Sequence, residues 1–162
     1  MQYTIRIADV QDEPFLWEML YESMYVPEGK EAFSRDILKE PVISKYAEGW
    51  GRKGDLGYIA VNHRNEPVGS VTIRYFDEAN EGFGYVGNDV PELGMAITEA
   101  CRGKGIGNAL LKTMVEELRR KQVSKISLSV DPNNVPAMKL YQRFGFKVVG
   151  VSGTSVTMVA EL

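Results

Sequence analysis

One cysteine and one histidine occur among the 162 residues, at Cys101 and His63. A lone thiol cannot close a disulfide within the chain. With no cluster of His, Cys and acids at ligand spacing, zinc has no evident site and no metal is expected. His63 falls in "NHRNEP", a polar turn, and reads as a surface loop residue. No apolar run is long enough to span a bilayer, so no membrane partner is expected. The start, "MQYTIRIADVQDEPF", carries Arg6, Asp9, Asp12 and Glu13 and no apolar h-region. No signal peptide is visible there, and the cytoplasm is the expected compartment. An excess of positive charge is also missing, since 19 Lys and Arg face 22 Asp and Glu for a formal net charge of −3. Non-specific nucleic-acid binding needs a basic field to displace counterions, so no nucleic acid is expected, whereas a small cationic substrate is mildly favoured.

With 44% hydrophobic and 25% charged residues, the chain suits one globular domain over residues 1–162 with a substantial core. The elements follow from period and punctuation. A strand at Tyr3–Ile7 precedes a helix opened by Asp12 as a cap and Pro14, with Phe15, Leu16, Met19, Leu20 and Met24 at helical spacing. A second helix is expected over Glu31–Lys39, ending before Pro41, and residues 42–55 read as a helix or loop turning into a strand. "GYIAVNH" and "EPVGSVTIRYF" form a hairpin, "DEANEGFGYVGNDV" an exposed loop, and "PELGMAIT" a further strand. Ile106, Leu110, Met114 and Leu118 mark one face of a helix. "SKISLSV" is a strand with Ile126, Leu128 and Val130 on one face. A helix capped by Asn133 or Asn134 and stopped by Gly145 follows, then strands "KVVGV" and "TSVTMVAEL". The order implies mixed α/β, with helices against one mainly antiparallel sheet. An edge strand such as "TSVTMVAEL" could pair between subunits, giving a homodimer.

The stretch "CRGKGIGN", Cys101 to Asn108, sets three glycines and two cations between a strand and a helix. Such a turn exposes backbone N–H groups at the positive end of a helix dipole, where phosphate is a natural ligand. An ordinary glycine-rich turn is the plain alternative. A P-loop is excluded, because Lys104 is followed by Gly105 where Ser or Thr is needed. A nicotinamide-dinucleotide fold fits poorly: Leu110 stands where a third glycine or alanine should follow Gly107. Residues Thr98 to Arg102 also separate the strand from the first glycine.

"RGKGIG", Arg102 to Gly107, matches the Arg/Gln-x-x-Gly-x-Gly/Ala signature of the GNAT superfamily of acetyl-CoA-dependent N-acetyltransferases. "NVPAMKLYQRFGF", Asn134 to Phe146, resembles that superfamily's second signature, with Asn, Ala, Tyr and Gly-Phe at its spacing. The element order is similar from near residue 3 to the end, though before Gly57 it matches only in outline. The resemblance implies an α+β GNAT-like fold, a central mainly antiparallel mixed sheet of about seven strands flanked by about four helices.

The resemblance further implies acetyl-CoA as cosubstrate, with its pyrophosphate on the backbone of Arg102, Gly103, Lys104, Gly105, Ile106 and Gly107. Arg102 and Lys104 are the side-chain candidates. It places the pantetheine arm along Met95, Ala96 and Ile97, between two splayed parallel strands. Asn134 matches the Asn that bonds this arm, and a helix cap is its compatible plain role. Tyr141 matches the tyrosine that protonates the leaving thiolate; the alternative is a core tyrosine beside Phe144. Glu92 is the candidate base, directly or through water, because it heads the strand and shares a face with Gly94 and Ala96. A strand-edge surface acid is the alternative for Glu92, and Asp89 the fallback base. Cys101 reads as a structural thiol.

The acceptor, a small-molecule or protein amine, should be met by the first two helices, "GWGRKGD" and residues 77–90. Tyr21, Tyr25, Tyr46, Trp50, Arg52, Phe83 and Tyr85 are available there. Two other functions stay open: a non-catalytic coenzyme A-binding regulatory module and the dinucleotide-binding domain.

Overall fold

A computed structural model describes residues 2–162. Its strands are β1 (Tyr3–Ile7), β2 (Leu56–Asn62), β3 (Pro67–Arg74), β4 (Glu92–Ile97), β5 (Lys125–Val130), β6 (Lys147–Ser152) and β7 (Ser155–Glu161). The α-helices are α1 (Glu13–Glu22), α2 (Pro41–Ser44), α3 (Ile106–Arg120) and α4 (Val135–Arg143). The strands make one seven-stranded mixed sheet in the order β1-β2-β3-β4-β5-β7-β6. Strands β4 and β5 pair in parallel through the register pair Glu92 with Ser127, whereas β1 with β2, β2 with β3, β5 with β7 and β6 with β7 pair antiparallel.

The chain forms two compact units, one of residues up to Ile73 with Gly94–Met114, the other of Arg74–Leu93 with Val115–Leu162. In the first, Leu16, Trp50, Ile59 and Val61 form a buried cluster, with Ala8 and Phe15 packed on it. The Glu13 carboxylate ties α1 to this cluster by accepting from the Trp50 amide at 3.0 Å, and within α1 it accepts from Trp17 Nε1 at 3.2 Å. Ile106, Leu110 and Met114 are each 1% exposed or less, as the helical stripe requires. Gly69 lies under this stripe: a Cβ there would stand 2.7 Å from Ile97 Cδ1 and 3.4 Å from Leu110 Cδ1.

In the second unit, β5, β7 and β6 run antiparallel. Ile126, Leu128, Met158 and Ala160 are all buried in its core. Strand β7 is therefore interior, bonded on both sides, and is not the edge strand that the sequence suggested for pairing between subunits. The edge is β6, where Val149 and Val151 are 59% and 75% exposed.

Two local expectations are also corrected. The 31–39 helix shrinks to a 3-10 turn over Arg35–Lys39 capped by the Ser34 side chain. Asp12 does not cap α1 with its side chain. Its carboxylate instead accepts from both Arg6 nitrogens, at 2.8 and 2.7 Å, and from the Asp9 amide at 2.8 Å. The Arg6 hydrogen bond is the main reason its pKa lies below the ordinary carboxylate range. The carboxylate oxygens are thus turned to Arg6 and the Asp9 amide rather than to the first amides of α1.

Candidate active site

The glycine turn belongs to the first unit. Gly103 and Gly105 adopt φ of +74° and +83°, the left-handed region that an L side chain enters only at a cost. Nothing lies within 4 Å of where a Cβ would stand at either, so conformation rather than crowding calls for glycine. The first helical bond of α3 runs from Ala109 N–H to Gly105 O at 3.1 Å. The amides of Ile106, Gly107 and Asn108 therefore precede any helical acceptor, and they sit at the dipole's positive end. Arg102 to Gly105 are exposed, whereas the Ile106 side chain is buried and leaves its backbone as the available part.

Arg102 does not point freely into solvent. Its Nε donates to Ile97 O and its Nη2 to Glu22 Oε2, both at 3.0 Å. The guanidinium thus bridges the end of β4 and the last residue of α1. Glu22 was missed by sequence reasoning, because nothing in the helix periodicity links it to a residue eighty positions away. Lys104 is exposed, and Met95 and Ile97 are half-buried. Ala96 is buried, and a Cβ at Gly94 would stand 3.3 Å from Thr72 Oγ1. Strand alternation puts Glu92, Gly94 and Ala96 on one face of β4, while Ile97 faces Gly69 on the other.

Glu92, Asn134 and Tyr141 belong to the second unit. Glu92 is only 5% exposed, so it is not a strand-edge surface acid. Its Oε1 accepts the Gly84 amide at 3.1 Å. Its register partner Ser127, fully buried, shares its face, and the Ser127 hydroxyl has no hydrogen-bond partner among the described residues. Gly84 was passed over in the sequence as one of several loop glycines. Asp89 is exposed. Asn134 caps α4, its Oδ1 accepting the Ala137 amide at 3.4 Å.

Tyr141 is buried, and burial pushes its phenol up to about 12. Its ring meets Phe146 edge-on, centroids 5.6 Å apart and planes at 61°. The helix end explains this. Gly145, at φ +87°, donates to Gln142 O at 3.0 Å, and Phe146 N–H donates to Tyr141 O at 3.1 Å. That is the Schellman pattern, which brings the residue after the glycine back onto the last turn. The Gly-Phe of the second signature thereby holds the Tyr141 ring.

The aromatics proposed for the acceptor divide. Trp50 is core. Tyr21 donates to Phe33 O and stacks under Arg35, whose guanidinium carbon lies 4.7 Å from the ring centroid. Phe83 is 45% exposed. Tyr85 bonds Asn88 Oδ1, and its pKa is raised by desolvation first and then by Glu78, Glu81, Asp77 and Asp89. No group of three or more metal-ligating side chains occurs among the described residues, and no described helix is long and apolar enough to cross a membrane.

Comparison with known proteins agrees with both signatures. The chain is similar to a spermine/spermidine N(1)-acetyltransferase of Bacillus subtilis, 42% identical over 70 residues, a match spanning 41% of this chain and 45% of that relative. It is 28% identical over 122 residues to N-alpha-acetyltransferase 30 of Saccharomyces cerevisiae, covering 72% of this chain and 66% of the relative. In fold it resembles the PaiA N-acetyltransferase of Thermoplasma acidophilum in complex with coenzyme A, with a TM-score of 0.71 at 20% identity over 100% of both chains. The family model for the acetyltransferase (GNAT) family matches residues 14–146, and the chain belongs to that family.

Proposed function

We propose that this protein is an N-acetyltransferase that moves an acetyl group from acetyl-CoA to a primary amine by direct attack within a ternary complex. One observation carries the reading: the unbonded amides at the start of α3 follow two left-handed glycines that present no side chain. An anion can approach such a backbone closely, and the pyrophosphate of coenzyme A suits it in charge and size. Residues 102–107 hold that group, with Lys104 as the exposed cation beside it.

The chemistry requires a base and an acid. An alkylammonium of pKa ~10.4 must lose a proton before its nitrogen can attack the thioester carbonyl. Glu92 takes that proton, directly or through water, and its fixed position at the head of β4 supports the role. A β4 amide near Met95 or Ala96 donates to the developing oxyanion. As the carbon–sulfur bond breaks, the thiolate takes the Tyr141 proton. A phenol held near 12 stays protonated at neutral pH and remains able to donate. Asn134, whose side chain already caps α4, has its amide nitrogen left for the pantetheine arm.

A cationic amine is the acceptor class. Asp77, Glu78, Glu81 and Asp89 stand in the loop before β4 with no Lys, Arg or His among residues 75–92. The similarity to a spermine/spermidine acetyltransferase supports the same class. The family match crosses both compact units, which supports reading residues 1–162 as one catalytic domain. Thermal-shift measurement with coenzyme A and NAD side by side tests the ligand. Stabilisation by coenzyme A is expected, and stabilisation by NAD alone would overturn the reading.

A further inference from the structure

We infer that Gly84 is a positioning residue for acetyl transfer, its backbone amide fixing the Glu92 carboxylate and registering the 77–90 loop against β4 and β5. The inference rests on the reading of Glu92 as the base.

Three observations meet at this point, all within one compact unit. The Gly84 amide donates to Glu92 Oε1 at 3.1 Å in a buried setting. Gly84 also lies directly on the β5 backbone: a Cβ built on it would stand 2.6 Å from the Leu128 carbonyl carbon and 2.9 Å from both Leu128 O and Ser129 N. No side chain fits there without moving the loop, because all three nearest atoms are backbone. Finally, Glu92 and Ser127 are register partners, which puts the carboxylate next to the residue preceding Leu128. One glycine thus contacts the strand that carries the base and the strand beside it.

The consequence concerns geometry. A glutamate side chain has three rotatable torsions, and a base must keep one oxygen in line with the proton that it removes. With Oε1 held by a loop amide, the loop restricts where Oε2 can stand. The same loop carries the acidic residues assigned to the cationic acceptor, so the Gly84–Glu92 hydrogen bond links the acceptor loop to the base. Gly84 does no chemistry itself and acts only through Glu92.

Double-mutant kinetics distinguish positioning from simple structural damage. Gly84→Ala should lower kcat roughly ten- to hundredfold with the KM for acetyl-CoA little changed, and should cause no further loss in a Glu92→Ala background. Glu92→Asp, whose shorter side chain withdraws from the amide while keeping an acid, should lose activity comparably. Equal losses from Gly84→Ala in both backgrounds would make Gly84 merely structural and overturn the inference. Full activity in Glu92→Ala would overturn the base assignment instead. Should Gly84→Ala fail to fold, or no tested amine be acetylated, amide exchange by NMR decides. Gly84 N–H should be protected in the native protein and lose protection in Glu92→Ala. Equal exchange in the two proteins would overturn the inference.

Discussion

Arg102 and Glu22 are joined by an ion pair of 3.0 Å, which ties the last residue of α1 to the first residue of the glycine signature. The same guanidinium holds Ile97 O at the end of β4. Arg102 is therefore engaged within the protein, and under the proposed function Glu22 would compete with pyrophosphate for it. Glu22→Gln should tighten coenzyme A by about two- to fivefold, the range of an exposed pair, whereas Arg102→Ala should weaken it. Isothermal titration of both variants checks the pair of signs.

Tyr141→Phe separates chemistry from packing. The Phe146 contact uses the ring alone, so the variant should keep its fold and its affinity for coenzyme A, while kcat falls roughly 10²-fold. With the phenol pushed up to about 12, Tyr141 stays protonated below that value and contributes no alkaline limb to the rate profile at pH 9 or 10. Steady-state kinetics across pH, beside a melting curve, reads both parts.

Gly105→Ala tests the conformational demand of the turn. An alanine at φ +83° costs about 1–2 kcal/mol, a fall of roughly 2–8 °C in Tm for a chain of this size. Coenzyme A affinity should fall as well, because relieving the strain rotates the amides out of line. A variant with native Tm and native affinity would show that the left-handed turn is dispensable.

The Arg6–Asp12 pair predicts a pH dependence of stability. The pKa of Asp12 is lowered on folding, chiefly by the Arg6 hydrogen bond, so the ionised form favours the folded state. Its contribution is fully present above the ordinary carboxylate pKa and is lost as pH falls through the lowered value. Arg6 is 43% exposed, which keeps the pair near ~1 kcal/mol. Arg6→Ala should melt about 2–4 °C lower at pH 7, with the gap closing below about pH 4. Melting curves at the two pH values measure it.

Much of this was legible in the sequence where local rules act alone. The α3 stripe, a cap at Asn133 or Asn134 and the Gly145 stop all follow from spacing within one element, and each is found, with Asn134 as the cap. What escaped depends on contacts distant in sequence. Asp12 has the residue type and place of a helix cap, but Arg6 on β1 takes its oxygens. "TSVTMVAEL" reads as an edge because it comes last, yet β6 folds outside it. Glu92 stands out as a candidate base at the head of its strand, but its burial and its bond to the Gly84 amide depend on a loop whose path the sequence does not show. Gly84 carries no signal beyond being a glycine, since its need for one lies in the Leu128 backbone.

The central claim is acetyl transfer to an amine, and thiol release from acetyl-CoA tests it most directly. The assay runs a panel of di- and polyamines and peptide amino termini with the native protein and Tyr141→Phe. Amine-dependent release that saturates in both substrates and falls sharply in Tyr141→Phe, with coenzyme A binding intact, is the expected result. Tight coenzyme A binding with no amine-dependent release from any member of the panel would contradict the account.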